Sequence, residues 1–438
     1  MSTSVAERAV LRDLAKRVAD IAAKPSEADK RRRWVAHNGL RDPRPMVVCF
    51  PEGAWQECIP HATIVCRDPI LYGWEKRLRM AIFVHEVLDD DQVIDPVFNV
   101  PADVGCSDWG VSAIQQDAEP GQWAPENTNN LQHALKDTLA SRSGHGASRS
   151  VPPLQELEDI ERLRPISVVS NPDNTRRWLD MAQELFGDIL PVRTRAWYWT
   201  GCSPAATAVE LRGMEQLMLD FYDNPEWVHR LVKFLCDGTA AYLDNLEARG
   251  LLHLNNESEW VGTGGIGYTD ELPAPGFNPN HVRLRDIWGM SQGQDLVGVS
   301  PSILDEFFMP YLIPVMERFG LTCYGCCEPM HDKLDVVMKI PHLRRLSVSP
   351  WADVRKCAEG VGNRCILSCK PNPTAISTDH VDETAMTGQM TEMFRIGRDN
   401  GCIMEVLMKD LHTVHGDTGR LRRWVACAKR ARDQVWGG

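Results

Sequence analysis

The sequence predicts an α/β protein: a (β/α)8 TIM barrel with an N-terminal helix ahead of it and a long irregular insertion within it. Three observations lead there. Short apolar runs that read as strands alternate with amphipathic runs that read as helices, about eight times, which favours a parallel sheet covered by helices. Polar residues follow nearly every strand, as at the mouth of a barrel. The first strand and helix carry no phosphate-binding glycine fingerprint, which argues against a doubly wound sheet.

Taken in order, Val5, Ala9, Leu11, Leu14, Val18 and Ile21 recur at helical spacing with charges between them, so the chain opens on an amphipathic helix ending near Lys24-Pro25. Basic residues Lys30 to Arg33 follow and read as a solvated face. Residues 1–43 form this helical extension, and the barrel occupies 44–438. Its first strand is expected at Met46 to Phe50 and its second at Met80 to Val87. From Asp95 to Ser170 periodicity weakens and Pro, Gly, Asn, Asp and Ser accumulate, as in Ser141-Arg-Ser-Gly-His-Gly-Ala-Ser-Arg-Ser150. An insertion of this kind, at 95–170, reads as a partly ordered cover over a pocket.

Alternation then resumes with a helix at Asn174 to Phe186, a strand at Val192 to Trp199 and a helix at Ala205 to Phe221. Asp223 or Asn224 caps a helix that has Pro225 in its first turn and continues to Glu247. Strands are expected at Leu251 to Leu254 and Leu296 to Val299, and a helix at Ile303 to Phe319 opens on Ser300-Pro301. The strand Leu321 to Tyr324, the helix Asp332 to Lys339 and the strand Leu343 to Val348 follow. After them come the helix Ala352 to Gly360, the strand Cys365 to Ser368, the helix Asp382 to Asn400, the strand Cys402 to Leu407 and the helix Arg420 to Gln434. Gly262-Thr-Gly-Gly-Ile-Gly267 lacks the strand and helix context of a nucleotide site and reads as a turn or lid hinge.

Composition narrows the function. Sixty acidic against 48 basic residues give a net charge of −12, which repels a polyphosphate backbone, so no nucleic-acid partner is expected. The N-terminus has no apolar signal core, and no apolar run of about 18 residues occurs, so a cytoplasmic protein away from membranes is expected. The 14 cysteines, spread from Cys49 to Cys427, follow no disulfide framework and read mostly as buried apolar residues.

The exception is Cys323-Tyr-Gly-Cys-Cys-Glu328, where a strand breaks at Gly325 into two thiols and a carboxylate. Adjacent side chains on a strand point to opposite faces, so Cys326 and Cys327 share a direction only if the backbone turns there. Residues after the other strands would converge on the same mouth: Glu52, His85, Glu86, Asn255, Asn256, Glu257, Ser349, Lys370, Asp410 and His412. Cys326 or Cys327 with Glu257, Glu328 and His412 supplies the sulfur, oxygen and nitrogen ligands that zinc prefers. Glu257 and Glu328 could serve instead as acid and base. His253 reads as a core histidine, His331 as the start of the next helix, and His342 and His380 as surface residues. Lys370-Pro-Asn-Pro and Lys409-Asp-Leu-His present cations to an anionic group. Trp109, Trp123, Trp197, Trp199, Trp260, Trp288 and Trp351 near the loops would suit a flat ring or a large cofactor.

Ser300-Pro-x8-Pro310-Tyr, Cys326-Cys-Glu, Ile340-Pro-His-Leu-Arg-Arg-Leu-Ser-Val-Ser-Pro-Trp351 and Lys370-Pro-Asn-Pro together resemble the uroporphyrinogen decarboxylase superfamily, and more closely its methyltransferase branch. The resemblance runs from about Arg44 to the C-terminus and leaves out the insertion. It implies a (β/α)8 barrel that moves a methyl group to or from the cobalamin of a corrinoid partner protein, commonly with zinc activating the substrate. Zinc-type relatives carry His-x-Cys where this chain has Tyr324-Gly-Cys326, so Cys326 matches and Tyr324 replaces the histidine. That leaves other ligands, such as Glu257, Glu328 or His412, or acid catalysis without a metal. Decarboxylases of the superfamily open on an Arg-rich motif, whereas this chain reads Arg44-Pro-Met-Val-Val-Cys-Phe-Pro-Glu-Gly53.

The leading expectation is O-demethylation of a small methyl donor, an aromatic methyl ether, with transfer of the methyl to the corrinoid protein. Glu257, Cys326, Cys327 and Glu328 would provide the metal or acid, and Asn256 and His412 would orient the substrate. The alternatives are a decarboxylase or lyase acting on a small carboxylated substrate, and a non-catalytic barrel that docks a cofactor protein. A homodimer is left open.

Overall fold

The computed structural model describes residues 3–111, 114–116, 149–195 and 200–437. Among them the strands are β1 Met46–Cys49, β2 Phe98–Pro101, β3 Val104–Cys106, β4 Ile114–Gln116, β5 Arg149–Val151, β6 Val168–Ser170, β7 Val192–Arg195, β8 Trp288–Ser291, β9 Leu321–Tyr324, β10 Leu343–Val348, β11 Ile366–Cys369 and β12 Ile403–Met408. Six form one parallel sheet in the order β1-β12-β11-β10-β9-β8, while β2 and β7 form a separate parallel pair. The molecule is therefore mixed α/β, as expected. The ladder of the described residues is an open sheet with β1 and β8 at its edges, rather than an eight-stranded ring.

Side-chain alternation gives the sheet two different faces. Tyr324, Leu346, Val348, Leu367, Cys369, Val406 and Met408 pack into the large core shared with the helices. Cys323, Arg345, Ser347, Ser368 and Glu405 share the opposite, inner face, where the polar residues among them need buried partners. On that face Arg345 Nε lies 2.9 Å from Glu405 Oε1, its Nη2 donates to Asn38 Oδ1 at 2.7 Å, and its guanidinium stands 5.3 Å from the centre of the Trp288 ring. Glu405 is held at a pKa of about 2: burial pushes its carboxyl up, but Arg345 and the neighbouring His37 more than offset that.

The glycine-rich stretch expected to be a hinge lies against this floor. A Cβ added at Gly265 would come 2.4 Å from Arg345 Cζ, and one at Gly264 would come 2.2 Å from Ser368 Oγ. With Gly265 also at φ 76°, this approach is open only to glycine.

Several elements differ from expectation. Met80 to Val87 is not a strand: Asp68 caps, and Pro69 starts, a helix Pro69–Phe83 that buries Leu71, Tyr72, Trp74, Leu78 and Ile82 at helical spacing, followed by a wide turn at Val84–Leu88. Leu296 to Val299 is not a strand either, since Gln294–Leu296 is a single tight helical turn and the strand is β8, just upstream. Leu251 to Leu254 is outside the ladder. The opening helix Val5–Ala22 is as expected, but a second one, Pro25–Asn38, continues over the supposed solvated stretch. Arg31 and Arg33 there pair with Asp95 and Asp91, and His37 and Asn38 reach the buried floor.

The helix expected at 205–221 is interrupted at Gly213, giving Pro204–Arg212 and Met214–Asp223. The insertion contains the antiparallel pairs β3/β6 and β4/β5, whereas most of Ser141 to Ser150, together with Trp123, Trp197 and Trp199, lies outside the described residues. No helix of the described residues is long and apolar enough to cross a membrane.

Candidate active site

The C-terminal ends of β9, β10 and β11 bring three polar groups to one point. Gly325 follows β9 at φ 98°, a left-handed turn that releases the two thiols from strand alternation. Cys326 Sγ and Cys327 Sγ then lie 3.5 Å apart, as the turn in the sequence suggested. Ser347, on the inner face of β10, donates from its hydroxyl to the Cys326 carbonyl at 2.7 Å. Lys370, directly after β11, is 2 % exposed, and its Nζ donates to Thr263 Oγ1 at 2.8 Å, Ser347 Oγ at 2.7 Å and the Cys326 carbonyl at 2.9 Å. Thr263 belongs to the glycine-rich loop and donates in turn to the Gly325 carbonyl at 2.7 Å.

All three acceptors of the Lys370 ammonium are neutral, so the charge is buried without a hydrogen-bonded carboxylate. Burial accordingly lowers its pKa, only partly countered by Cys326. Lys409, after β12, is the opposite case. Burial would lower it, but Glu52 at 2.9 Å and Asp410 at 3.2 Å outweigh that and raise its pKa.

Between these cations Cys326 is pulled down to about 7, first by its hydrogen bond with Cys327 and then by Lys370 and Lys409, against burial and Glu328. Cys327 moves up, because it keeps the shared proton and sits 3.9 Å from Asp410 Oδ2. The arrangement offers a thiolate at neutral pH beside a desolvated ammonium, hence a nucleophile or soft ligand next to an oxyanion site.

The other expected site residues do different work. Glu328 is 1 % exposed, and its two oxygens accept the amides of Gly293 and Cys326, each at 2.8 Å, so it clamps the thiol loop to the segment after β8. Glu257 pairs with Arg193 and with Arg195, the latter at 3.0 Å. Burial pushes its carboxyl up, but the two guanidiniums hold it below the usual range. Asn256 donates to the Leu272 carbonyl at 2.8 Å, bracing its own loop. His412 is exposed and backs onto Gly53.

His85 and Glu86 are turned towards the N-terminal helices, where they meet Glu27 and Arg17. His253 is half-buried, and desolvation lowers its pKa. Tyr324 packs on the helix side of the sheet and does not face the thiols.

Among the described residues no three His, Cys, Asp or Glu side chains form a group that could hold a metal ion. The expected set of Cys326, Cys327, Glu257, Glu328 and His412 does not fit zinc here: Glu328 is spent on two amides and Glu257 on two arginines. The sequence reading missed Ser347 and Thr263. A hydroxyl between two apolar residues at the end of a strand, Leu346-Ser347-Val348, was the available signal for Ser347, and a lone polar side chain among glycines was the signal for Thr263.

No family model matches the chain, and no curated protein matches it. Among solved structures, a methyltransferase from Methanosarcina mazei aligns with 93% of this chain and 99% of its own, at 11% identity and a TM-score of 0.49.

Proposed function

We propose that the chain is a corrinoid-dependent methyltransferase, with residues 44–438 as a barrel of the uroporphyrinogen decarboxylase kind and 1–43 as its helical extension. It takes the methyl group of a small aromatic methyl ether and passes it to a corrinoid carried by a partner protein. The observation that carries this reading is the buried Lys370 ammonium, held only by neutral oxygens beside Cys326. Demethylating an ether requires that the departing oxygen be stabilised as the C–O bond breaks and the electron pair stays on oxygen. Lys370 releases one of its three hydrogen bonds to face that oxygen as a cation and returns a proton to it, leaving a phenol. The thiolate of Cys326 favours the charged form of the ammonium between turnovers, against its burial.

The corrinoid supplies the nucleophile that accepts the methyl group. Trp351, 69% exposed just beyond β10, gives such a flat ring system an apolar face to approach. No step runs through zinc, since the described residues do not gather to hold it. The test is to incubate the purified protein with cob(I)alamin, the corrinoid partner and a panel of methoxyaromatics, following methylcobalamin by absorbance. Formation with at least one donor is expected, and none with any donor overturns the proposal.

The same ammonium would also receive a carboxylate, which favours decarboxylation as the second reading. That reading predicts carbon dioxide release without corrinoid.

A further inference from the structure

A cavity of about 380 Å3 lies between the described part of the insertion and the long helix Pro225–Ala248. Its volume falls within the range of about 300–1,000 Å3 typical of small-molecule sites. Residues of β3 and the segment after it form one wall, the helix a second, and the stretch around Gly201 beside β8 a third.

The walls are held in place. Trp109 lies across the helix at Gly238, where a Cβ would come 2.6 Å from its ring, and the ring also stands 6.0 Å from that of Phe234. Hydrogen bonds from the Arg164 amide to the Trp109 carbonyl, at 2.8 Å, and from the Ser167 amide to Ser107 Oγ, at 2.9 Å, close the insertion on itself. The third wall is fixed by main-chain bonds, since Met290 donates to the Thr200 carbonyl and Cys202 to the Met290 carbonyl, both at 3.1 Å.

The lining states what would fit. Leucines from the helix and the rings of Trp109 and Tyr242 give apolar surface, the hydroxyls of Thr207 and Tyr242 give hydrogen bonds, and Thr239, whose hydroxyl donates to the Leu235 carbonyl at 2.8 Å, offers its oxygen as an acceptor. Among the described residues that line it there is no Lys, Arg or His, and Glu210 is the single carboxylate. An anion would lose its hydration there with no cation to replace it and would be repelled by Glu210. This is the reverse of the Lys370 site.

We propose that this cavity is a binding site for an uncharged, ring-bearing small molecule that carries hydrogen-bonding groups, of the size of a substituted phenol. The inference rests on the cavity walls and not on the methyl-transfer reading. Gln292 lines the cavity, and the next residue, Gly293, gives its amide to Glu328, which also holds the Cys326 amide. Occupancy would therefore be felt two hydrogen bonds away, at the thiol loop.

The test is calorimetric titration of the full-length protein with 2-ethylphenol, which carries no methyl ether for the Lys370 site to take, and, in the Lys370→Gln variant, with benzoate. Saturable binding of the phenol at one site per chain is expected, with benzoate weaker by about tenfold or more. Thr207→Trp, which fills the cavity, and Thr239→Leu, which removes a hydroxyl, should each weaken the phenol by about tenfold, with far-UV circular dichroism confirming the fold. Lys370→Gln should leave this binding unchanged. The proposal is overturned if no saturable binding occurs, if benzoate binds as tightly, or if Lys370→Gln abolishes binding while Thr207→Trp keeps it.

Discussion

Lys370→Met separates what this ammonium does for the fold from what it does for the reaction. Its three hydrogen bonds, at 2.7–2.9 Å, each come from a charged donor. Such bonds contribute about 1.5–3 kcal/mol apiece, which taken alone would forecast a collapse. Against them stands the desolvation of an ammonium 2 % exposed, which costs several kcal/mol and has no paired carboxylate to offset it. The acceptors are not left bare, because Ser347 Oγ still serves the Cys326 carbonyl and Thr263 Oγ1 still serves the Gly325 carbonyl, both at 2.7 Å. The two sums nearly cancel, so stability in urea at neutral pH should change by no more than about 2 kcal/mol in either direction.

The rate should behave differently. A donor aimed at a developing oxyanion is worth about 10²–10³ in kcat, so methylcobalamin formation should fall by that factor with KM little altered. There is also a pH signature. Because burial lowers the native pKa of Lys370, the unfolded chain binds more protons between that value and about 10.4, and this residue makes stability rise with pH across that window. The methionine variant should lose that part of the slope in urea titrations at about pH 8, 9 and 10. Turnover within about twofold of the unmodified protein would refute the catalytic role, and an unchanged slope would refute the buried charge.

Three further expectations follow from neighbouring groups. Glu328→Gln keeps one acceptor but sets an amide N–H against a backbone N–H, so urea unfolding should show a loss of about 1–3 kcal/mol; an unchanged midpoint would remove Glu328 from its clamping role. Iodoacetamide labelling of Cys326, followed by peptide mass, should be half-maximal near pH 7, and Cys327→Ala should move it upward; a midpoint at or above about 8.5 in the unmodified protein would contradict the charge arrangement. Glu405, with a native pKa of about 2, stabilises fully above its unfolded value of about 4.3 and loses that contribution as pH falls between the two. Glu405→Gln should cost about 3–5 kcal/mol and flatten acid melting over that range, and a variant as stable as the parent would show that the pair with Arg345 is not buried.

Strands β9 to β12 were legible in the sequence because each is a short, mostly apolar or β-favouring run bounded by turn residues, and β10 begins and ends where the pattern says. Met80 to Val87 misled because an apolar run of that length has no period of its own, and the deciding signals, Asp68 as cap and Pro69 in the first turn, lie well upstream. The thiol pair and Lys370 were visible as strand-end residues. Their assembly was not, because Thr263 and Ser347 reach the site from a loop and a strand interior whose facing depends on tertiary contacts. Glu257 shows the same limit from the other side: sequence marks a carboxylate after an apolar run, but not the two arginines of β7 that claim it.

The glycine-rich loop sets the terms on which the site could be reshaped. Sheet interiors are normally filled by side chains, and exchanging a large one for a small one deepens the space. Beneath the ammonium here the filler is main chain: Gly264 and Gly265 already lie against Ser368 and Arg345 with no side chain to trim. Redesign for a bulkier substrate would therefore have to shorten or reroute the loop, and a library confined to side-chain substitutions on the sheet would leave the depth of the floor where it is.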